Sequence, residues 1–255
     1  MKKWYHTTIK IHHLTLEENK GASRILDIAA IKLRNATKVL RKDLITDFYT
    51  ATKDGDDKMV GVKSVCLGDP ATATLIGGID SDTTAYWQGY QNALSPAEDL
   101  TWTNMNAMYH DTKQYGNGDR ATMIVTTPGV LENYENLLTK TVVTGLASES
   151  ALTSRVGIQL TQPAQGRKIL DGGFEAFSFK GIPIIADPLL PDSGFAYFLN
   201  ENYMHWRVLK NFESTGWTDL RDQGKDYAQM TIFGYGAMTY NCPTKLGKIT
   251  GLNEA

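Results

Sequence analysis

Asp80-Ser81-Asp82-Thr83-Thr84 is a run whose residue types and spacing match a covalent chemistry. In a D-x-D-x-T pattern the first carboxylate attacks phosphorus and the second works as acid and base. Such a nucleophile needs a buried parallel strand before it. The preceding TLIGGI instead carries two glycines, which weaken a strand, and Asp/Ser/Thr clusters are equally good turn formers. His12, His13, Glu17 and Glu18 have the elements of a metal site, but neighbouring strand residues point to opposite faces. The two glutamates suit the first turn of a helix, where they complement its dipole. His6, His110 and His205 have no ligand at a useful spacing. YGNGD and FGYGAM are rich in glycine without the Lys-Ser/Thr ending of a phosphate loop. The first reads as a turn, the second as a strand with small residues at a crowded contact. No GxSxG, HExxH or Cys/His pairing occurs. The reading is therefore of a chain with no catalytic, cofactor or metal site.

The elements around these residues form a mixed plan. The chain has 255 residues, 42% hydrophobic and 21% charged, with a net charge of −2. That composition is globular, and the size gives one large domain or two small ones. Near-neutral charge argues against a general polybasic nucleic-acid binder. No apolar run reaches the roughly 18 residues of a membrane span, and MKKWYHTTIKIHHL lacks the apolar stretch of a secretory signal. Cys66 and Cys242 form no CxxC pair, so neither a disulfide framework nor structural zinc is expected.

WYHTTIKIHHL (4–14) reads as a strand, and Thr15 with Glu18 as a capping box. Leu26, Ala29, Ala30, Leu33, Ala36, Leu40, Leu44 and Phe48 then make one helical stripe, predicting a helix of about 30 residues or more over 16–50. Its basic residues lie mostly off the stripe. Glu17, Glu18, Asp27, Asp43 and Asp47 interrupt them, so that face reads as solvated. Ser95 and Pro96 are expected to open a second helix near 97–114. ATMIVTT reads as a buried strand, PGVLENYENLLTK as a helix opened by Pro128, and 144–173 as loop. Strands follow in FEAFSFKGIPIIAD, GFAYFLN, YMHWRVLK and YAQMTIFGYGAMTYN. The class is α+β.

Six segments, in order, resemble the major capsid proteins of tailed bacteriophages with the Hong Kong 97-type fold. WYHTTIKIHH is similar to their extended segment and ENKGASRILDIAAIKLRNATKVLRKDL to their spine helix. VGVKSVC…IGGIDSDTTAYWQGY, DLTWTNMNAMYHD with ATMIVTTPGVLENYENLL, and FSFKGIPIIADPLLPDSGFAYFLNENYMHWRV follow. YAQMTIFGYGAMTYNCPTKLGKITGL resembles the last strand and tail.

The resemblance implies a structural subunit rather than an enzyme. It would divide into the returning strand of an E-loop extension (1–15) and a peripheral domain with spine helix (16–50) and second helix (16–119). An axial domain (120–205) and return strands (206–255) would follow. It also implies that the N-terminal arm and most of the outgoing E-loop strand are missing. Partners would be further copies in hexamers and pentamers of an icosahedral head, with portal, scaffold or decoration proteins. Contact with packaged double-stranded DNA would be non-specific, and no membrane is involved. Assembly would take place in the host bacterial cytoplasm and the protein would end in the virion capsid. Expected subunit contacts are Trp4, Tyr5, Thr7 and Ile9 on the extension and, by position, Arg34 and Arg41. Pro183 and Asp187 are expected to set strand geometry. An encapsulin-like nanocompartment shell keeps the fold and changes the role. A small haloacid-dehalogenase-like phosphohydrolase using Asp80 and Asp82 is the reading of a different class.

Overall fold

Strand periodicity at the front of the chain decides where the first core forms. A computed structural model describes residues 3–18, 28–50, 59–66, 75–81, 83–114, 118–146, 167–170 and 174–254. Strand β1 (Lys3–His12) leads into helices α1 (His13–Glu18) and α2 (Ile28–Tyr49), then α3 (Val62–Val65). A hairpin of β2 (Leu75–Ile76) and β3 (Ile79–Asp80) precedes β4 (Tyr90–Glu98) and α4 (Trp102–Gln114). Next come β5 (Met123–Thr126), α5 (Pro128–Leu146), β6 (Arg167–Leu170) and β7 (Phe174–Phe179). The chain ends with β8 (Ile182–Ala186), β9 (Ala196–Leu199), β10 (Met204–Ser214), β11 (Thr218–Asp219), β12 (Tyr227–Tyr240) and β13 (Gly247–Leu252).

Among the described residues these strands make two main sheets. In the long sheet β12 lies between β1 and β10, antiparallel to both, and β11 also pairs with β12. Tyr5, Ile9 and Ile11 of β1 point to one side and are buried. Tyr5 joins Leu40 and Met59 in a small core, with Leu44, Phe48, Ile232 and Met238 around it. The second sheet has seven strands in the order β4-β13-β9-β5-β8-β7-β6. One face packs on α4 and α5 through Met105, Met108, Val130 and Tyr134 against Ile124, Phe198 and Ile249. The other packs Val125, Tyr197 and Leu199 against Val60, Val62, Val65 and Leu246. Strand β5 is therefore apolar on both sides, which is why ATMIVTT shows no alternation.

Three local expectations change. Ser95 and Pro96 do not open a helix; they lie in β4, which pairs in parallel with β13. Helix α4 starts at Trp102, where the Thr101 hydroxyl accepts from the Asn104 amide at 3.2 Å, a side-chain N-cap. Thr15 lies inside α1 rather than at its cap. Of the helix expected over 16–50, α1 and α2 are described, and residues 19–27 lie outside the described set. The apolar stripe buries Leu40 but leaves Leu33 39% exposed. Most of the loop read over 144–173 also lies outside the described residues, with β6 inside it.

Gly61 sits where the C-terminal end of α2 meets the next segment. A Cβ there would collide with the Thr50 carbonyl oxygen and lie 2.8 Å from those of Asp47 and Phe48. Backbone cannot step aside as a side chain can. Gly61→Ala is expected to cost about 1–3 kcal/mol as an overpacking change, read as a lowered urea midpoint. An unchanged midpoint would mean that this approach is looser than described.

Candidate assembly surface

With one face of the long sheet held against α2, its opposite face carries the even residues of β1. Trp4 is 54% exposed and stacks on His6 at 4.2 Å between ring centroids and on Tyr235 at 6.4 Å. Lys10 lies over the Tyr227 ring and Lys210 over Phe233, at 5.0 and 4.8 Å. The outer sheet face is thus a row of aromatic rings flanked by lysines. Strand β10 forms one edge of this sheet and is exposed along most of its length. It shows Val208, Leu209 and Phe212 to solvent. Two register shifts against β12 break its regularity, a device that blunts an open edge.

Towards α2, β10 lays its aromatic rings on glycines. A Cβ on Gly234 would sit 2.6 Å from the Phe212 ring, and one on Gly236 would collide with Trp206. The two glycines of FGYGAM are therefore the crowded contact expected from sequence. Behind these rings lies an open apolar cavity of about 280 Å³, bordered by Leu44, Phe48, Met59 and Met238. At its end the Tyr49 hydroxyl donates to Asp187 at 3.1 Å. Burial, then the adjacent carboxylate, pushes the Tyr49 hydroxyl pKa up. Asp187 also accepts from the Leu189 amide at 2.9 Å, a side-chain bond within the turn after β8.

Polar contacts tie the two sheets together. The Tyr203 hydroxyl and Lys245 both donate to the Asp119 carboxylate, the lysine at 2.9 Å. Those bonds, the tyrosine's first, hold the Asp119 carboxyl below its usual range. Burial opposes the Lys245 charge, yet Asp119 and Tyr203 together keep its pKa raised. Lys63 pairs with Asp192 at 2.7 Å, and buried Lys248 donates to the Lys63 carbonyl at 3.2 Å. Burial pushes the nearby Cys66 thiol up to about 12, so it is an inert core residue. Glu254 accepts from the Thr127 hydroxyl at 2.6 Å and the Gly194 amide at 3.0 Å. Both bonds hold its carboxyl low, the Thr127 bond being the larger cause.

The residues expected at a subunit contact do not form one patch. Tyr5 and Ile9 are 8% and 5% exposed and face α2 of their own chain, because strand alternation turns them inward. Thr7 shares that side and is half-buried, whereas Trp4 points out. Arg34 and Arg41 are exposed on α2. Asp80 ends a two-residue antiparallel strand, not a buried parallel one, so the phosphohydrolase geometry fails. Asp82 lies outside the described residues. His13 lies 3.0 Å from Asp219, and no cluster of metal-ligating side chains occurs among the described residues. No described helix is long and apolar enough to cross a membrane. The exposed edge of β10 escaped sequence reasoning, since the alternation of YMHWRVLK does not say which strands will flank it.

No protein-family model and no curated protein matches this sequence. Solved structures do. The capsid of cyanophage A-1(L) superposes with a TM-score of 0.71 at 16% identity, over 98% of this chain and 77% of that one. The chain has the Hong Kong 97-type fold. The holo-SrpI encapsulin complex from Synechococcus elongatus shares it at a TM-score of 0.66 and 9% identity, over 99% of this chain and 75% of that one. The capsid of Myoviridae phage XM1 gives 0.59 and 10%, over 98% and 74%. In this Hong Kong 97-type chain, Trp4 on the outer sheet face and the open edge of β10 are apolar surface exposed to solvent.

The Asp119 cluster makes a pH-dependent prediction. A carboxyl depressed by folding adds stability above its unfolded pKa, about 3.9, and loses it as pH falls through the folded value. Asp119→Asn is expected to lower the urea midpoint near neutral pH, and the gap from the parent should close as pH falls below about 4. A gap of constant size down to about pH 3 would show that the lost contact is not ionic.

Proposed function

We propose that this protein is a structural, non-enzymatic major capsid protein. Copies associate side by side into hexamers and pentamers of an icosahedral phage head around double-stranded DNA. The head would be assembled in the host bacterial cytoplasm, the protein ending in the virion. The observation that carries this reading is a shell fold matched over 98% of the chain. The aromatic outer face and open β10 edge support it. Exposed aromatic side chains and an open strand edge are surfaces that a second copy can cover, and head-to-tail contacts between copies close into rings when the rotation permits. The fold match to an encapsulin favours a second reading, a nanocompartment shell around a protein cargo. The contents of purified particles, DNA or protein, distinguish the two.

Size-exclusion chromatography with light scattering, followed by negative-stain microscopy of the largest species, tests the reading. Rings, sheets or shells are expected. A monodisperse species of 28.3 kDa at the highest soluble concentration would sink it. Trp4→Ala should leave the fold unchanged, because Trp4 is exposed. As a central aromatic contact it should cost about 2 kcal/mol of association, raising the concentration needed for assembly roughly 30-fold. An unchanged threshold would remove Trp4 from the interface.

A further inference from the structure

Helix α2 shows a cationic face that packing among the described residues does not use. At about 100° per residue, Ala36, Leu40 and Asp47 define the side turned to the long sheet. Leu40 and Asp47 are buried there. Arg34, Lys38, Arg41 and Lys42 all fall within about 60° of the opposite line, and all four are exposed. The acids that interrupt this stretch in the sequence do not interrupt the face. Asp47 is buried beside Tyr5, whose pKa it helps to raise after burial itself. Asp43 lies roughly 140° from the face line, on the flank towards the sheet. Among the described residues, none of the four cations makes an ion pair. The shallow concavity beside them is lined by Ala30, Leu33, Thr37 and three of the cations, with no carboxylate among the described residues. At Ile45 the face closes, because that side chain turns into the apolar cavity.

Four cations over nine residues span about 12 Å of helix. A single carboxylate could not match them, and another net-acidic patch would need four anions at fixed spacing. A nucleic-acid duplex supplies this as a rule, with one phosphate charge per about 1.7 Å of axis. We propose that the outward face of α2 docks on the phosphate backbone of double-stranded DNA through Arg34, Lys38, Arg41 and Lys42. This deepens the capsid reading and rests on it. It gives a defined place to a contact otherwise spread over scattered lysines and arginines. It also moves Arg34 and Arg41 from a subunit contact to a nucleic-acid one. Reading the backbone alone, the contact carries no base sequence preference.

The test uses the full chain and a fluorescein-labelled duplex of about 20 base pairs, titrated by anisotropy at several salt concentrations. With four phosphates engaged, the slope of log affinity against log salt should be near −3.6, a loss of roughly a hundredfold between 50 and 200 mM. The R34Q/K38Q/R41Q/K42Q variant keeps good helix formers and should lose about 3.6 units of slope, and the R34Q/R41Q pair about 1.8. R34K/R41K keeps the charge and should keep the slope. Light scattering on the same samples reports the oligomeric state separately, so a failed shell reading is seen there and not in the slope. Duplex binding by the parent chain that both glutamine variants leave unaltered would overturn the proposal, as would no binding at all. A variant that binds DNA normally but assembles differently would also overturn it, making this face a contact between copies.

Discussion

One helix can cover only one face of a narrow sheet. Strand β1 has 10 residues, or about 33 Å, and α2 has 22, again about 33 Å. The two match in length and run in opposite senses. Lys32 near the start of α2 donates to the Lys10 carbonyl, while Leu40, farther along, meets Tyr5. That match fixes the small core of Tyr5, Leu40 and Met59 and turns the buried side of α2 to one face of the sheet. Nothing remains within the described chain to cover the far side of the sheet. Trp4, Phe233 and Tyr235 are left with one another and with solvent, and β10 is left as an open edge. The one-sidedness of the long sheet is therefore built in, and it is the reason a lone copy looks unfinished.

The seven-stranded sheet solves the same problem differently, with a layer on each face. It behaves as a closed body to which the long sheet is attached by short passages, β9 into β10 and β12 into β13. Those passages carry the polar ties. Asn200 accepts from the Asn202 amide and donates to the Arg120 carbonyl at 2.8 Å. Lys245 reaches Asp119 from a side chain only 7% exposed. Removing one partner of a buried charge costs far more than the pair contributes. These ties therefore resist hinging more than they add stability. In the proposed shell such stiffness would matter, since an error in the angle between the parts accumulates around a ring.

What the sequence disclosed follows from which signals are local. The strand at β1, the buried strand at β5 and the glycine contact in β12 are written in alternation, in unbroken apolar character and in glycines two apart. Direction is not local. Trp4, Tyr5, Thr7 and Ile9 form one attractive cluster on paper, but alternation sends Trp4 outward and the other three toward α2. The choice of side belongs to a helix some 30 residues away. Ser95 and Pro96 carry helix-start chemistry, yet the pairing of β4 with β13, from the far end of the chain, overrides it. The acids of α2 make the same point in reverse. In linear order they cancel the basic residues, and in three dimensions Asp47 leaves their surface altogether.

On the proposed capsid reading, that separation lets a chain of net charge −2 meet two demands that conflict. Copies packed side by side must not repel one another, which favours near-neutral totals. A shell around a polyanion must not repel its contents, which favours positive charge. Raising the net charge would answer the second demand and defeat the first. Placing the cations on a helix face turned away from the sheet answers both, because screening confines each charge to about 10 Å at 0.1 M salt. The aromatic sheet face and the basic helix face then lie on opposite sides of the α2 layer, and neither surface need compromise for the other.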